Sequence, residues 1–212
     1  MSDFARPDPS PDSDRHSASR PREGRIQADW VFAYGSLIWN PGFEFSEAAL
    51  ARVNGYHRFF CIQSMSYRGT PEQPGVVLGL DRGGACIGMA FRLKSGSQQD
   101  AIDSLYEREM GGGVYVPRVV TVTVQGNRRE QALAFIANQC SPAYARLSET
   151  EILRRLRSCR GQRGPNREYA LRTWQSLSER GVHCPHLSRL GPLLLAAEAS
   201  EATQTGPSMA LG

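Results

Sequence analysis

The chain lacks any apolar run approaching the ~18 residues that a membrane span needs. Its first residues, MSDFARPDPSPDSDRHSASR, contain no apolar core, which argues against a secretory leader. Lysine is almost missing: Lys94 is the only one, so positive charge rests on arginine, a compositional bias before it is a functional sign. Neither sign of charge dominates, with 25 Lys+Arg against 21 Asp+Glu and a formal charge of +4. That balance excludes a strongly basic nucleic-acid coat and an acidic solvating tail. No Cys-x-x-Cys occurs among the cysteines at 61, 86, 140, 159 and 184, so neither a zinc ribbon nor a thioredoxin-type dithiol is supported. Reduced thiols in a cytoplasmic protein are the expected state. No internal repeat is visible. What is present is ordinary globular material: 212 residues, 40% hydrophobic and 22% charged, enough for one domain with tails.

Residues 1–27 are rich in Ser, Pro, Asp and Arg and carry too little apolar surface to fold, so disorder is expected there. WVFAY (30–34) reads as a buried strand running straight into the turn GSL. YHRFFCI (56–62), VVLGL (76–80) and CIGMAFRL (86–93) read as three more. VVTVTV (119–124) and ALAFIA (132–137) flank GNRRE as a hairpin. Helices are expected after Ser97, ending at Gly111; after Ser148, which forms a capping box with Glu151; and after Asn166, ending near Gly181. Strands and helices without strict alternation predict an α+β fold with a mixed sheet. The domain is placed at residues 28–190, with residues 191–212 as a tail carrying one helical turn or two.

The helix at 98–110 carries the sharpest chemical signal. Ile102, Leu105 and Tyr106 form its apolar stripe, and Glu109 shares that stripe, while Glu107 and Arg108 are expected to point elsewhere. A carboxylate facing a core has its pKa raised by desolvation, which suits proton transfer near neutral pH. The same pattern is also met by a Glu at a helix end that bends out to water or pairs with an arginine. A second signal is Tyr34-Gly35-Ser36-Leu37, where a buried strand ends. Glycine there lets backbone N–H groups approach a ligand and hold a carboxylate or an oxyanion. An ordinary tight turn has the same composition.

Other candidates are weaker. Gly111-Gly112-Gly113 follows its helix, at the negative end of the dipole, where phosphate is disfavoured. His183 and His186 lack further ligands nearby. His57 and Cys61 lie four apart on one strand face, about 13 Å along it, too far for a direct hydrogen bond. Ser36 lacks the Gly-x-Ser-x-Gly of a nucleophile elbow. The arginines at 154, 155, 157, 160, 163 and 167 have no interleaved aromatics and read as a solvated face, not a nucleic-acid surface.

VFAYGSLIWNPGFEF (31–45), SYRGTPEQPGVVLGL (66–80), YEREMGGGVYVP (106–117) and RGQRGPNREYALR (160–172) together resemble the ChaC family of γ-glutamylcyclotransferases. The resemblance runs from about residue 30 to His186 and Leu187 and is similar in wording to the bacterial branch. It implies a small mixed β-barrel or sheet with flanking helices, and cleavage of glutathione to 5-oxoproline and cysteinylglycine in the cytoplasm. It implies no metal, cofactor, nucleic-acid partner or membrane; the oligomeric state stays open. By resemblance, Glu109 is the catalytic residue, and Tyr34, Gly35, Ser36 and Leu37 bind the γ-glutamyl group. Arg68, in Arg68-Gly69-Thr70, and Tyr144 match further recurrent positions and are assigned to substrate binding. Asn40 departs from the family, many members having a basic residue there. The segment 160–169 becomes structural or part of the active-site rim. Three other readings stay open: a cyclotransferase for other γ-glutamyl peptides or amines, a non-catalytic γ-glutamyl-binding module, and a hydrolase dependent on Ser36 that releases glutamate.

Overall fold

The computed structural model describes residues 24–204, with side chains through Ala196. Five strands close a barrel in the order β1 (Trp30–Ala33), β3 (Gly75–Leu93), β2 (Phe45–Ser64), β4 (Tyr115–Val124) and β5 (Arg128–Ala137), with β5 returning to β1 and β3. β1 runs antiparallel to β3 and parallel to β5, so the sheet is mixed. β1 is buried on both faces. Trp30, Phe32 and Tyr34, the residue after β1, join a cluster otherwise built from strand residues, the filled lumen of a small barrel, while Val31 and Ala33 face the helical layer. The helices are α1 (Gln98–Glu109), α2 (Glu149–Ser158), α3 (Asn166–Ser178) and α4 (Pro185–Gln204), and two short strands, β6 (Arg160–Gly161) and β7 (Gly164–Pro165), pair before α3.

The fold class is the one expected, but three of the expected strands prove to be two. β2 begins eleven residues before Tyr56, at Phe45, and β3 runs unbroken through Asp81–Ala85. The glycines that look like strand ends are bulges. Gly55 (φ 84°) faces Gly83 (φ 96°) and Gly84 (φ 71°), and the β2–β3 register shifts between Asn54 and Tyr56. Only glycine takes these angles without strain, and the bulges bend long strands enough for closure. The β4–β5 hairpin forms as expected, from Tyr115 opposite Ala137 to Val124 opposite Arg128.

The capping expectations hold in part. Ser148 accepts from the Glu151 amide at 3.2 Å, but the Glu151 carboxylate turns away to Arg154 and Arg155, which hold it down at about 2. Ser97 occupies the α1 cap without a capping side-chain bond. Asn166 is the first residue of α3, not its cap, and its side chain is used elsewhere. α4 crosses the expected boundary at residue 190, with Leu190 and Leu194 fully buried. The expected disorder of residues 1–27 lies mostly outside the described residues, as does the end of the tail. Residues 25 and 26 are docked on α1: Arg25 pairs with Asp103, and the Ile26 amide donates to Tyr106 Oη at 2.8 Å.

His186, near the start of α4, stacks on Phe59 with ring centroids 4.7 Å apart and is 9% exposed. Its Nε2 has no partner among the described residues. Burial, with Arg189 nearby, pushes its pKa down to about 4, against the weaker pull of Glu149. An unfolded histidine titrates near 6.5, so between those values the unfolded chain binds more protons and the fold loses stability as pH falls. His186→Phe, which keeps the stack, should flatten that loss by about 2 kcal/mol between pH 7 and pH 5. Denaturant midpoints of both proteins at the two pH values measure it; equal slopes would contradict it.

Candidate active site

β1 delivers its last residues to the rim of the barrel, where the chain turns tightly through a 3₁₀ turn at Ser36–Ile38. The amides of Ile38, Trp39 and Asn40 bond back to the carbonyls of Gly35 and Ser36. Those of Gly35, Ser36 and Leu37 take no part in the turn, as expected at a helix start. The Tyr34 carbonyl is held by Nε of the buried Arg58, whose Nη2 donates to Ile87 O at 2.8 Å. Gly35 has no room for a side chain without cost: a Cβ there would sit 3.2 Å from Tyr169 Oη.

Facing this turn is the last residue of α1. The Glu109 side chain is 15% exposed and joins Tyr34, Gly35, Ser36, Leu37, Leu78, Tyr115, Phe135 and Tyr169 in lining one recess of about 310 Å³ including its mouth. The stripe of Ile102 and Leu105, both 1% exposed, orients the helix so that Glu109 points inward. Burial raises its pKa above the ordinary 4.5, opposed by the charges of Arg108 and Arg163. The carboxylate therefore does not bend out to water, but it does pair with an arginine, the neighbouring Arg108.

Arg108 corrects one expectation. It does not point away: its Nε lies 3.2 Å from Glu109 Oε1, Nη2 donates to Ser36 Oγ at 2.9 Å, and Nη1 donates to Asn40 O at 2.8 Å. A long flexible arm reaches across a helix face that periodicity assigns to solvent. Ser36 Oγ is thereby an acceptor for a cation, with no histidine among the described residues bonded to it. At Asn40 the backbone carbonyl, not the side chain, makes the contact.

Tyrosines line much of the remaining wall, and none but Tyr34 stands out in the sequence. Tyr34 Oη donates to Phe135 O at 2.6 Å, and Tyr115 Oη donates to Leu78 O at 2.9 Å. Tyr169 Oη accepts from the Leu78 amide at 3.2 Å, which leaves its own proton for an acceptor in the recess. Burial pushes all three well up, so they remain neutral donors. Tyr169 stands three residues after Asn166 on α3. Asn166 Oδ1 accepts from the Val76 amide at 2.7 Å and its Nδ2 donates to Val76 O at 2.8 Å. An i, i+3 pair on a helix thus staples residues i, i+2 of a strand edge. The apolar period of α3 hides this pair, because both residues are polar and both are buried.

Arg68 and Tyr144 are not in the recess wall. Arg68 Nη1 donates to Pro165 O at 3.0 Å, and its guanidinium lies 5.6 Å from the Tyr169 ring centroid, so it braces the wall from behind. The glycines of its neighbourhood let residues 66–80 and 160–172 pack closely. A Cβ on Gly69 would meet Gly75 N at 2.1 Å, and one on Gly161 would meet Ser66 O at 2.4 Å. Tyr144 packs near Tyr115, but its hydroxyl donates to the buried Asp81 at 2.8 Å and accepts from Arg146 Nε at 3.0 Å. Cys61 is fully buried, its thiol pushed up to about 12, and His57 bonds Gly83 O instead. His183 bonds Ser188 Oγ and shares nothing with His186.

The barrel with its rim turn and inward carboxylate defines the class. A crystal structure of a γ-glutamyl cyclotransferase specific to glutathione from yeast superposes with a TM-score of 0.73 at 20% identity, covering 81% of this chain and 97% of that one. The architecture is therefore the γ-glutamyl cyclotransferase fold. At the level of sequence, the family described as ChaC-like protein matches residues 29–193, and the chain belongs to that family. The Escherichia coli (strain K12) protein named glutathione-specific gamma-glutamylcyclotransferase is 34% identical over 174 residues, 82% of this chain and 74% of that protein. The human glutathione-specific gamma-glutamylcyclotransferase 1 is 35% identical over 170 residues, 77% of each chain.

Proposed function

We propose that the protein is a glutathione-specific γ-glutamylcyclotransferase, converting glutathione to 5-oxoproline and cysteinylglycine, with Glu109 as its proton-transfer residue. The observation that carries the reading is the largely buried Glu109 carboxylate sharing one recess with the Tyr34–Leu37 turn, in which the amides of Gly35, Ser36 and Leu37 take no part in the turn's own hydrogen bonds. The relatives from Escherichia coli and human support the choice of substrate. Five unpaired thiols, at Cys61, Cys86, Cys140, Cys159 and Cys184, support a cytoplasmic setting. Among the described residues no helix is long and apolar enough to cross a membrane.

The chemistry needs no nucleophile from the protein. The α-amine of the γ-glutamyl group attacks its own side-chain carbonyl and closes a five-membered lactam, an intramolecular step favoured by effective molarities on the order of 10⁵–10⁸ M when the substrate is held folded. The attacking nitrogen goes from ammonium to lactam N–H and sheds two protons. The leaving cysteine nitrogen goes from amide to ammonium and gains two. One proton is lost to solvent as the amine is deprotonated, and the departing cysteine amine takes one from solvent once it is free. The attacking nitrogen's other proton passes to Glu109 as the C–N bond forms, and from Glu109 to the leaving nitrogen as the old C–N bond breaks. A raised pKa suits both halves, because the carboxyl gives the proton back readily. The turn amides and the Tyr169 hydroxyl are donors for the substrate carboxylate and the tetrahedral oxyanion. Tyr34 and Tyr115, committed to carbonyls, shape the wall. Arg68 supports it through Tyr169. Ser36, held by Arg108, positions the turn.

The pH dependence follows from the sign of the Glu109 shift. The base must start deprotonated, so kcat/KM falls as pH drops through a pKa above 4.5. Arg108 opposes the rise, so Arg108→Met should move this acidic limb to higher pH. Rates of 5-oxoproline formation between pH 4.5 and 8 measure it; an unmoved or lowered limb contradicts the assignment. Parallel assays of glutathione and γ-glutamyl-alanine test the substrate. Equal rates would favour a general γ-glutamyl cyclotransferase.

A further inference from the structure

Two arginine charges act on Glu109, those of Arg108 and Arg163. Arg108 is fully engaged by Glu109, Ser36 and Asn40. Arg163 is not. It sits in the turn between β6 and β7, exposed, with its guanidinium carbon 4.0 Å from the Tyr67 ring centroid. Among the described residues no carboxylate pairs with it and no acceptor takes its side-chain N–H groups. A guanidinium stacked on a ring face keeps its donor edge free in the plane and loses little entropy when it binds.

The position is built, not incidental. The amides of Gln162 and Arg163 donate to Ser66 O and Tyr67 O, both at 2.9 Å, so the turn is fastened to the 66–68 segment. Gly161 makes the approach possible, since a Cβ there would lie 2.4 Å from Ser66 O. The neighbouring Arg68 bears on Tyr169 in the recess wall. Stack, hairpin and recess are therefore one connected body, with a cation at its edge that has no ionic partner among the described residues.

The γ-glutamyl half of the substrate uses the turn amides and Glu109. The leaving half ends in a carboxylate that, with the dipeptide extended, lies about 7 Å beyond the scissile nitrogen. We infer that Arg163, held on the Tyr67 ring, receives the glycine carboxylate of the tripeptide and sets a preference for γ-glutamyl peptides ending in a free carboxylate. This deepens the functional reading above and rests on it. A charge-assisted contact of this kind discriminates against a neutral end group by about tenfold or more.

The test compares glutathione with its C-terminal glycinamide, using wild type, Arg163→Gln and Arg163→Lys. Wild type should favour glutathione in kcat/KM by about tenfold or more. Arg163→Gln should bring the ratio within about twofold by raising KM for glutathione, with kcat changed less than about threefold, and Arg163→Lys should recover part of the ratio. Any change the lost charge makes in Glu109 affects both substrates alike and cancels in the ratio. A wild type that converts both equally, or an Arg163→Gln enzyme that keeps the wild-type ratio, overturns the inference while leaving the functional reading intact. A wild type that converts neither overturns the functional reading, and this inference with it.

Discussion

Glu109→Gln should lower 5-oxoproline formation from glutathione at least about a hundredfold, the low end of what a positioned general base contributes. Glutamine keeps the volume and one acceptor of the carboxylate but cannot carry the proton between nitrogens. The fold should not suffer. The native carboxylate is buried, and burial raises its pKa, so its ionised form is a cost to the folded state that the neutral amide does not carry. Unfolding midpoints equal to or above wild type are therefore expected beside the lost turnover. Glu107→Gln, on the exposed face of the same helix, should be nearly silent. A Glu109→Gln enzyme with near-native rates would remove the proton-transfer role. Reversed effects at 107 and 109 would mean that α1 is rotated from the orientation described.

Asn166→Ala should cost about 2–4 kcal/mol of stability, because it leaves the amide and the carbonyl of Val76 buried without partners. This large effect arises because β3 has little strand neighbour on that side: its pairing with β5 is confined to Leu80 opposite Ile136. Side chains of α3 complete the edge instead. Activity should fall further than stability alone explains, since Tyr169 is placed by the same helix and bonds the same strand two residues on, at Leu78. Tyr169→Phe separates the effects. It deletes the recess donor while Asn166 still holds the helix, so it should reduce kcat with a smaller loss of stability. Denaturant unfolding of both variants decides the point; an Asn166→Ala protein as stable as wild type contradicts the stapling role.

Much of this was legible in the residues. The stripe of Ile102 and Leu105 gives the face of α1 correctly, and with it Glu109, because helix periodicity is a local property. The turn after Tyr34 is legible because glycine ends a buried strand there, but its composition is also that of an ordinary tight turn, and only the resemblance assigns it to substrate binding. Closure of the barrel is not legible. It depends on Gly55 facing Gly83 and Gly84 across strands nearly thirty residues apart in sequence, where a single strand's pattern shows only an interruption. Arg58 and Asn166 escape detection because pattern reading expects polar residues outside, and both are buried to satisfy backbone groups that only the tertiary fold leaves open. Tyr115 and Tyr169 look like core aromatics, and their rings are; their hydroxyls acquire meaning only where β3 passes between them. Arg108 escapes for a different reason: helix geometry fixes where its Cβ points but not where a long side chain ends.

The central claim is that the substrate's own amine closes the ring with Glu109 moving the proton, so that water never attacks the γ-carbonyl. Incubating the protein with glutathione in H₂¹⁸O and weighing the products tests it most directly. Intramolecular closure gives 5-oxoproline and cysteinylglycine in equal amounts, neither carrying ¹⁸O. Glutamate with one ¹⁸O atom in its γ-carboxylate would mean hydrolysis, and the account built on Glu109 and self-attack would be contradicted.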